Sequence, residues 1–272
     1  MEPSSSIENI VGTFHSVRRG NADALSMLNK MVSSDNKVAT ACLAMLLMLV
    51  DSTLVPKDQD RANELMQSVL SKLSTRDDNP QIQWILGTVY EYGIGVAKND
   101  ETAFEYYESS AKQGDSYGQF SLGRCYMYGI NVAKNEDEAF QYFQLSANQG
   151  DMDGLYRLGC CYGSGIGVST NEEEAFKWYK LSADQGFVNA QSTVGQCYLH
   201  GVGVPKDVSK AVDYYQLSAD QGDCLSQYAL GGCYFYGIGV FEDESRAIEY
   251  YQLSAARGDS RAQAELGRCH FY

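Results

Sequence analysis

Residues 128–132 read YGINV, and four other segments are near copies of it: YGIGV at 92–96, SGIGV at 164–168, HGVGV at 200–204 and YGIGV at 236–240. The one Asn where the other four segments have glycine decides how the segment is read. A phosphate-binding G-x-G-x-x-G needs a strand before it and a third glycine opening a helix, and neither accompanies these segments. Asn is the non-glycine residue that most readily enters the left-handed region, so the shared requirement is for backbone shape and Asn131 is predicted to have a positive φ.

Outward from these loops, every landmark recurs at an interval of 36 residues without insertion: Gly87, Gly123, Gly159, Gly195, Gly231 and Gly267; Ala103, Ala139, Ala175, Ala211 and Ala247; Gly114, Gly150, Gly186, Gly222 and Gly258. Such a period marks a repeat array. Within one unit, Ile82, Leu86, Val89 and Tyr90 hold the spacing of one helical face, and Gly93 stops that helix, here named helix A. Asn99, Asn135, Asn171, Asp207 and Asp243 then stand as N-caps of a second helix, helix B. Glu138 and Glu174 stand three residues after their caps and predict a capping box. Helix B presents Ala103, Tyr107 and Ala111 on one face and closes at Gly114. Two short helices with one apolar stripe each must stack on the next pair. The fold class expected is all-α, an α-solenoid of 36-residue helix-loop-helix repeats.

Residues 79–272 hold five full repeats and a sixth helix A, eleven helices in all, and that last helix either caps the array or leads into further chain. Residues 1–78 are less regular. The stretch STLVPKDQDRANELMQSVLSKLS aligns with a loop and a helix B, with Ala62 in place of Ala103, and reads as one degenerate repeat. The helices before it are expected to cap the array. Residues 41–50, ACLAMLLMLV, are too short for the roughly 20 residues of a bilayer span and read as a buried helix.

A net charge of −14 argues against nucleic acid and anionic membrane surfaces as partners. The first residues, MEPSSSIENI, carry no secretory pattern, and a cytoplasmic address is expected. Five of the eight cysteines, Cys125, Cys161, Cys197, Cys233 and Cys269, fall two residues after the phase-marking glycine, on the buried side of helix A. Equivalent points on packed helices lie about 8–10 Å apart, too far for a disulfide, so the ladder reads as packing. The acidic runs NEDE and NEEE suit helix starts, where the dipole favours carboxylates. His15, His200 and His270 fall in different phases or outside the array, and no nucleophile, base and orienter assemble. No catalytic residue, metal ligand or cofactor site is assigned.

The pattern LGxxYxxGxGVxxDxxxAxxYYxxSAxxG resembles the Sel1-like repeat family, relatives of tetratricopeptide repeats, over about 190 of the 272 residues. The resemblance implies a right-handed superhelix and a non-enzymatic scaffold or adaptor that binds a protein or peptide partner on its concave face. Secreted members staple neighbouring helices with paired cysteines, and β-lactam hydrolysis, reported for some, is the alternative from another class. This chain has Ser-Ala where that pattern has Ala-Cys. By analogy with tetratricopeptide arrays, the inner face uses helix A positions in phase with 81, 84, 88, 91 and 92. Those positions supply the candidate partner-binding residues: Trp84, Phe120, Tyr156 and Tyr228; Tyr92, Tyr128 and Tyr236; and Met127 and Phe235. The aromatics in phase with 84 can equally serve as packing. The positions in phase with 92 vary most freely and are the better candidates.

Overall fold

A computed structural model describes residues 6–18, 22–49, 55–73 and 78–269, with the Cys269 side chain left out. His270, one of the histidines weighed above, lies outside the described residues. The described residues form fifteen α-helices and no strand, in two compact units, Met1–Gln149 and Gly150–Tyr272.

The first unit holds α1 (Ile7–Arg18), α2 (Ala22–Ser33), α3 (Lys37–Leu49), α4 (Gln59–Leu70), α5 (Pro80–Tyr92), α6 (Asp100–Lys112), α7 (Ser116–Tyr128) and α8 (Glu136–Asn148). One core runs from Ile10 to Cys125. Helix α3 is its centre: the ten residues from Val38 to Leu47 are all buried, so the apolar run is a core helix as expected. Full burial of each Val, Leu or Met there contributes about 1.5–3 kcal/mol. Among the described residues no helix is long and apolar enough to cross a membrane.

The second unit holds α9 (Met152–Ser164), α10 (Glu172–Asp184), α11 (Val188–His200), α12 (Val208–Asp220), α13 (Cys224–Tyr236), α14 (Glu244–Ala256) and α15 (Ser260–Cys269). The odd-numbered helices from α5 are helix A and the even-numbered ones from α6 are helix B. Each helix A packs on its own helix B, and within each unit that helix B packs on the next helix A.

The phase-marking glycine has a packing cause. A Cβ at Gly87 would sit 2.5 Å from the Tyr107 ring, at Gly123 2.8 Å from Phe143, at Gly195 2.7 Å from Tyr215 and at Gly231 2.5 Å from Tyr251. The buried ring of helix B therefore lies flat on helix A only where helix A has no side chain. The neighbouring serines, Ser110, Ser146, Ser182, Ser218 and Ser254, are fully buried. They are satisfied locally: Ser182 Oγ donates to Met152 O (2.7 Å) and Ser254 Oγ to Cys224 O (2.8 Å).

The loop follows the reading of its glycines. Helix A ends at Gly93, Gly129, Gly165, Gly201 and Gly237, all left-handed. Two residues on, Gly95, Gly167, Gly203 and Gly239 have φ between +64° and +73°, and Asn131 has φ +55°. The Asn supplies the conformation that glycine supplies elsewhere.

The caps of helix B are as expected, with Asn99 Oδ1 accepting from Thr102 N (3.1 Å) and Asp207 Oδ1 from Lys210 N (3.1 Å). The capping box is not as expected. The cap N–H of Asn135 donates to Tyr126 O (3.0 Å) and that of Asn171 to Tyr162 O (2.8 Å), which ties the loop back to helix A and leaves Glu138 and Glu174 nothing to reach. Glu174 instead pairs with Lys177 (2.6 Å).

Candidate functional site

The candidate residues all stand on helix A, but burial divides them. In the first unit Trp84 is only 7% exposed. Helix α1 brings Phe14 to 5.9 Å and His15 to 5.7 Å from its ring, and Tyr117 of α7 stacks on His15 at 4.1 Å. Trp84 is therefore packed beneath α1, with little of its ring open to a partner. Phe120 is half-buried and rests against Phe143 (6.0 Å). Met127 is half-buried, while Tyr92 is 40% and Tyr128 56% exposed.

In the second unit the same division appears. Tyr156 is half-buried between Tyr179 (5.6 Å) and Phe187 (5.3 Å). Tyr228 rests on Tyr251 (5.8 Å) with the Arg261 guanidinium 4.6 Å from its ring centroid, a cation–π contact. Phe235 meets Tyr236 edge-on at 4.9 Å, and Tyr236 is 62% exposed. Phe120, Tyr156 and Tyr228 thus press on the helix B ring, and the aromatics in phase with 92 are open.

Around Tyr228 and Tyr236 the second unit has a cavity of about 380 Å³. Leu199, Leu225, Tyr228 and Ile238 supply apolar lining together with the buried Tyr215, and Gln196, His200, Arg261 and Glu265 add polar and charged groups. Gly232 keeps it open, since a Cβ there would meet nothing nearer than the Tyr251 hydroxyl at 3.8 Å. Leu225 (47%) and Ile238 (38%) continue the apolar surface beside the exposed Tyr236.

The first unit has a charged counterpart. Arg124 Nη2 donates to Glu91 Oε1 (2.8 Å), and the Tyr107 hydroxyl donates to Glu91 Oε2 (2.6 Å) and approaches Thr88 Oγ1 (3.3 Å). Burial, then Glu91, pushes the Tyr107 phenol well above its ordinary value. Burial alone would lower the Arg124 guanidinium, but Glu91 outweighs it and holds it above its usual value. The pair joins two repeats and stands next in sequence to Tyr92, where periodicity shows nothing.

A second feature recurs on helix B. Leu145, Leu181, Leu217 and Leu253, each 36 residues after the last, are between 46% and 49% exposed. The interval was legible, but half-exposure of a helix B position was not.

The cysteine positions are buried thiols. Cys125, Cys161, Cys197 and Cys233 are free and buried, and burial pushes Cys125 up to about 12 and Cys197 and Cys233 up to about 11. Thiols so raised are neutral at pH 7 and poor nucleophiles. Among the described residues no group of three His, Cys, Asp or Glu side chains is placed to hold a metal ion.

Comparison with known proteins agrees with this architecture. A Sel1 repeat protein from Oxalobacter formigenes is 35% identical over 75% of this chain and 82% of its own, with a TM-score of 0.69. The protein c5321, described as a protective antigen of uropathogenic Escherichia coli displaying an SLR fold, is 26% identical over 97% of this chain and 56% of its own (TM-score 0.65). The immunity protein Pa5087 of Pseudomonas aeruginosa shares the fold at 19% identity, over 81% of each chain (TM-score 0.55). No protein of curated function matches. The Sel1 repeat pattern itself matches residues 43–68, 80–115, 116–151, 153–187, 188–223, 224–259 and 260–272, and the chain belongs to the Sel1 repeat family.

Proposed function

We propose that the protein is a non-enzymatic scaffold or adaptor that holds a segment of a partner protein along the helix A face, the concave face of the superhelix. The observation that carries the reading is the cavity beside Tyr228, where Leu225, Tyr236 and Ile238 leave an apolar surface open next to a cleft. Exposed contiguous apolar surface with aromatic residues is the composition of recognition surfaces. The first unit offers Tyr92 and Tyr128, with Phe120 and Met127 on the same kind of helix, and the second adds Tyr156 and Phe235. The hydrolase alternative rests on cysteines stapled between helices, and the seven described cysteines are free. Free thiols fit a reducing compartment, so the working address is the cytoplasm. Helices α1 to α4 act as the cap of the array, with α1 covering Trp84.

Tyr128→Ala and Tyr236→Ala test the reading. Each should weaken binding to a partner by about thirtyfold, the 2 kcal/mol of a hot spot, while stability changes by about 0.5 kcal/mol or less because both rings are exposed. A large loss of stability with binding intact would make them structural and put the partner elsewhere.

A further inference from the structure

We infer that the cavity lined by α11, α13 and α15 is a receptor for one neutral side chain with an aromatic body and a hydroxyl at its tip, a tyrosine presented by the partner segment, and that the Tyr215 hydroxyl reads that tip. The inference rests on the scaffold reading above and makes it specific.

It follows from the hydroxyls of the helix B rings. The Tyr107 hydroxyl donates to Glu91 Oε2, and Tyr179 has the Cys160 thiol beside it. Phe143 has no hydroxyl, and Met127 stands where Glu91 would accept one. At Tyr215 the matching residues are Leu199 and Gln196, of which Leu199 cannot accept and Gln196 is exposed. Tyr215 is 2% exposed and its hydroxyl makes no hydrogen bond among the described residues. The hydroxyl is not sealed off from solvent, so it opens into the cavity that Tyr215 lines. Packing does not require it, since Phe143 fills the same position in another repeat. Leu199, Gln196 and Tyr215 all line the cavity, so an acceptor entering from outside can supply what Glu91 supplies to Tyr107.

The surroundings select the rest of the side chain. Leu199, Leu225, Tyr228 and Ile238 suit a ring, and offset or edge contacts with Tyr228 add to its burial. Two charged groups of the lining already have partners: Arg261 is held by Asp259 through two bonds (2.6 and 3.1 Å), and Glu265 by Arg268 (3.1 Å). A charged tip would have to compete with Asp259 for Arg261 or with Arg268 for Glu265, whereas a neutral phenol needs no counter-ion.

The test uses the full chain with p-cresol and toluene as probes, which differ only in the hydroxyl, and calorimetry or NMR titration as readout. The wild type should bind p-cresol about tenfold more tightly than toluene, one net hydrogen bond. Tyr215→Phe, which Phe143 shows to be compatible with the packing, should bind toluene unchanged and lose the preference. Leu199→Glu should give Tyr215 an internal acceptor and weaken p-cresol. Equal affinity for the two probes, no binding of either, or a preference that survives in Tyr215→Phe overturns the inference. If the inference fails in this way while Tyr236→Ala still loses a partner, the scaffold reading stands without it. A phenol preference with partner binding indifferent to Tyr236→Ala supports the receptor site and sinks the scaffold reading.

Discussion

Replacing Tyr107 by Ala should destabilise the first unit by about 3–5 kcal/mol, the cost of removing a fully packed ring. Tyr107 is 2% exposed and lies in the space that Gly87 leaves on α5, so its loss opens a cavity at the crossing of α5 and α6. The damage also reaches the next repeat, because Glu91 loses its phenol donor and remains tied only to Arg124. Tyr107→Phe keeps the ring and should cost about 0.5–1.5 kcal/mol, the hydrogen bond alone. Urea unfolding followed by Trp84 fluorescence in a Trp178→Phe background reads the first unit by itself. A loss below about 1 kcal/mol for Tyr107→Ala would mean that the ring is not what fixes helix A on helix B.

Gly203→Ala should be nearly as damaging, although it adds a single methyl group. Gly203 has φ +66°, where a Cβ costs about 1–2 kcal/mol. That Cβ would also overlap the backbone carbonyl of Glu172 in the preceding helix B, which cannot swing aside as a side chain can. Together the two effects should exceed about 3 kcal/mol. A Cβ at Gly239 would likewise lie 2.5 Å from Val208 O. Asn131→Gly, by contrast, should stay within about 1 kcal/mol of the parent, since Asn131 already holds the conformation at φ +55°. If Gly203→Ala is tolerated equally well, close approach between repeats is not what these glycines are for.

What repeats was legible in the sequence. The helices, the loop glycines, the Asn131 conformation and the N-caps all recur at one interval, and each recurrence supports the others. What occurs once was not. The burial of Trp84 comes from Phe14 and His15, which stand outside the repeat, so no phase predicts it. The Glu91–Arg124 pair needs two particular side chains from adjacent repeats. The lone Tyr215 hydroxyl becomes visible only when Leu199 is known to stand where Glu91 stands beside Tyr107. The capping box failed for a related reason: a carbonyl of helix A, distant along the chain, captures the N–H that local sequence assigns to a glutamate. In the candidate site the same limit applies. Spacing identified the helix A face, but not which of its aromatics lie under a ring and which are open.

The exposed leucines of helix B offer a partner a rival surface, so the decisive measurement separates the two faces. A photo-crosslinking amino acid placed at position 92, 128 or 236 samples helix A, and one at 145, 217 or 253 samples helix B. With a partner bound, the account predicts covalent adducts from 128 and 236 and none from 217 and 253. Adducts confined to 145, 217 and 253 would contradict it.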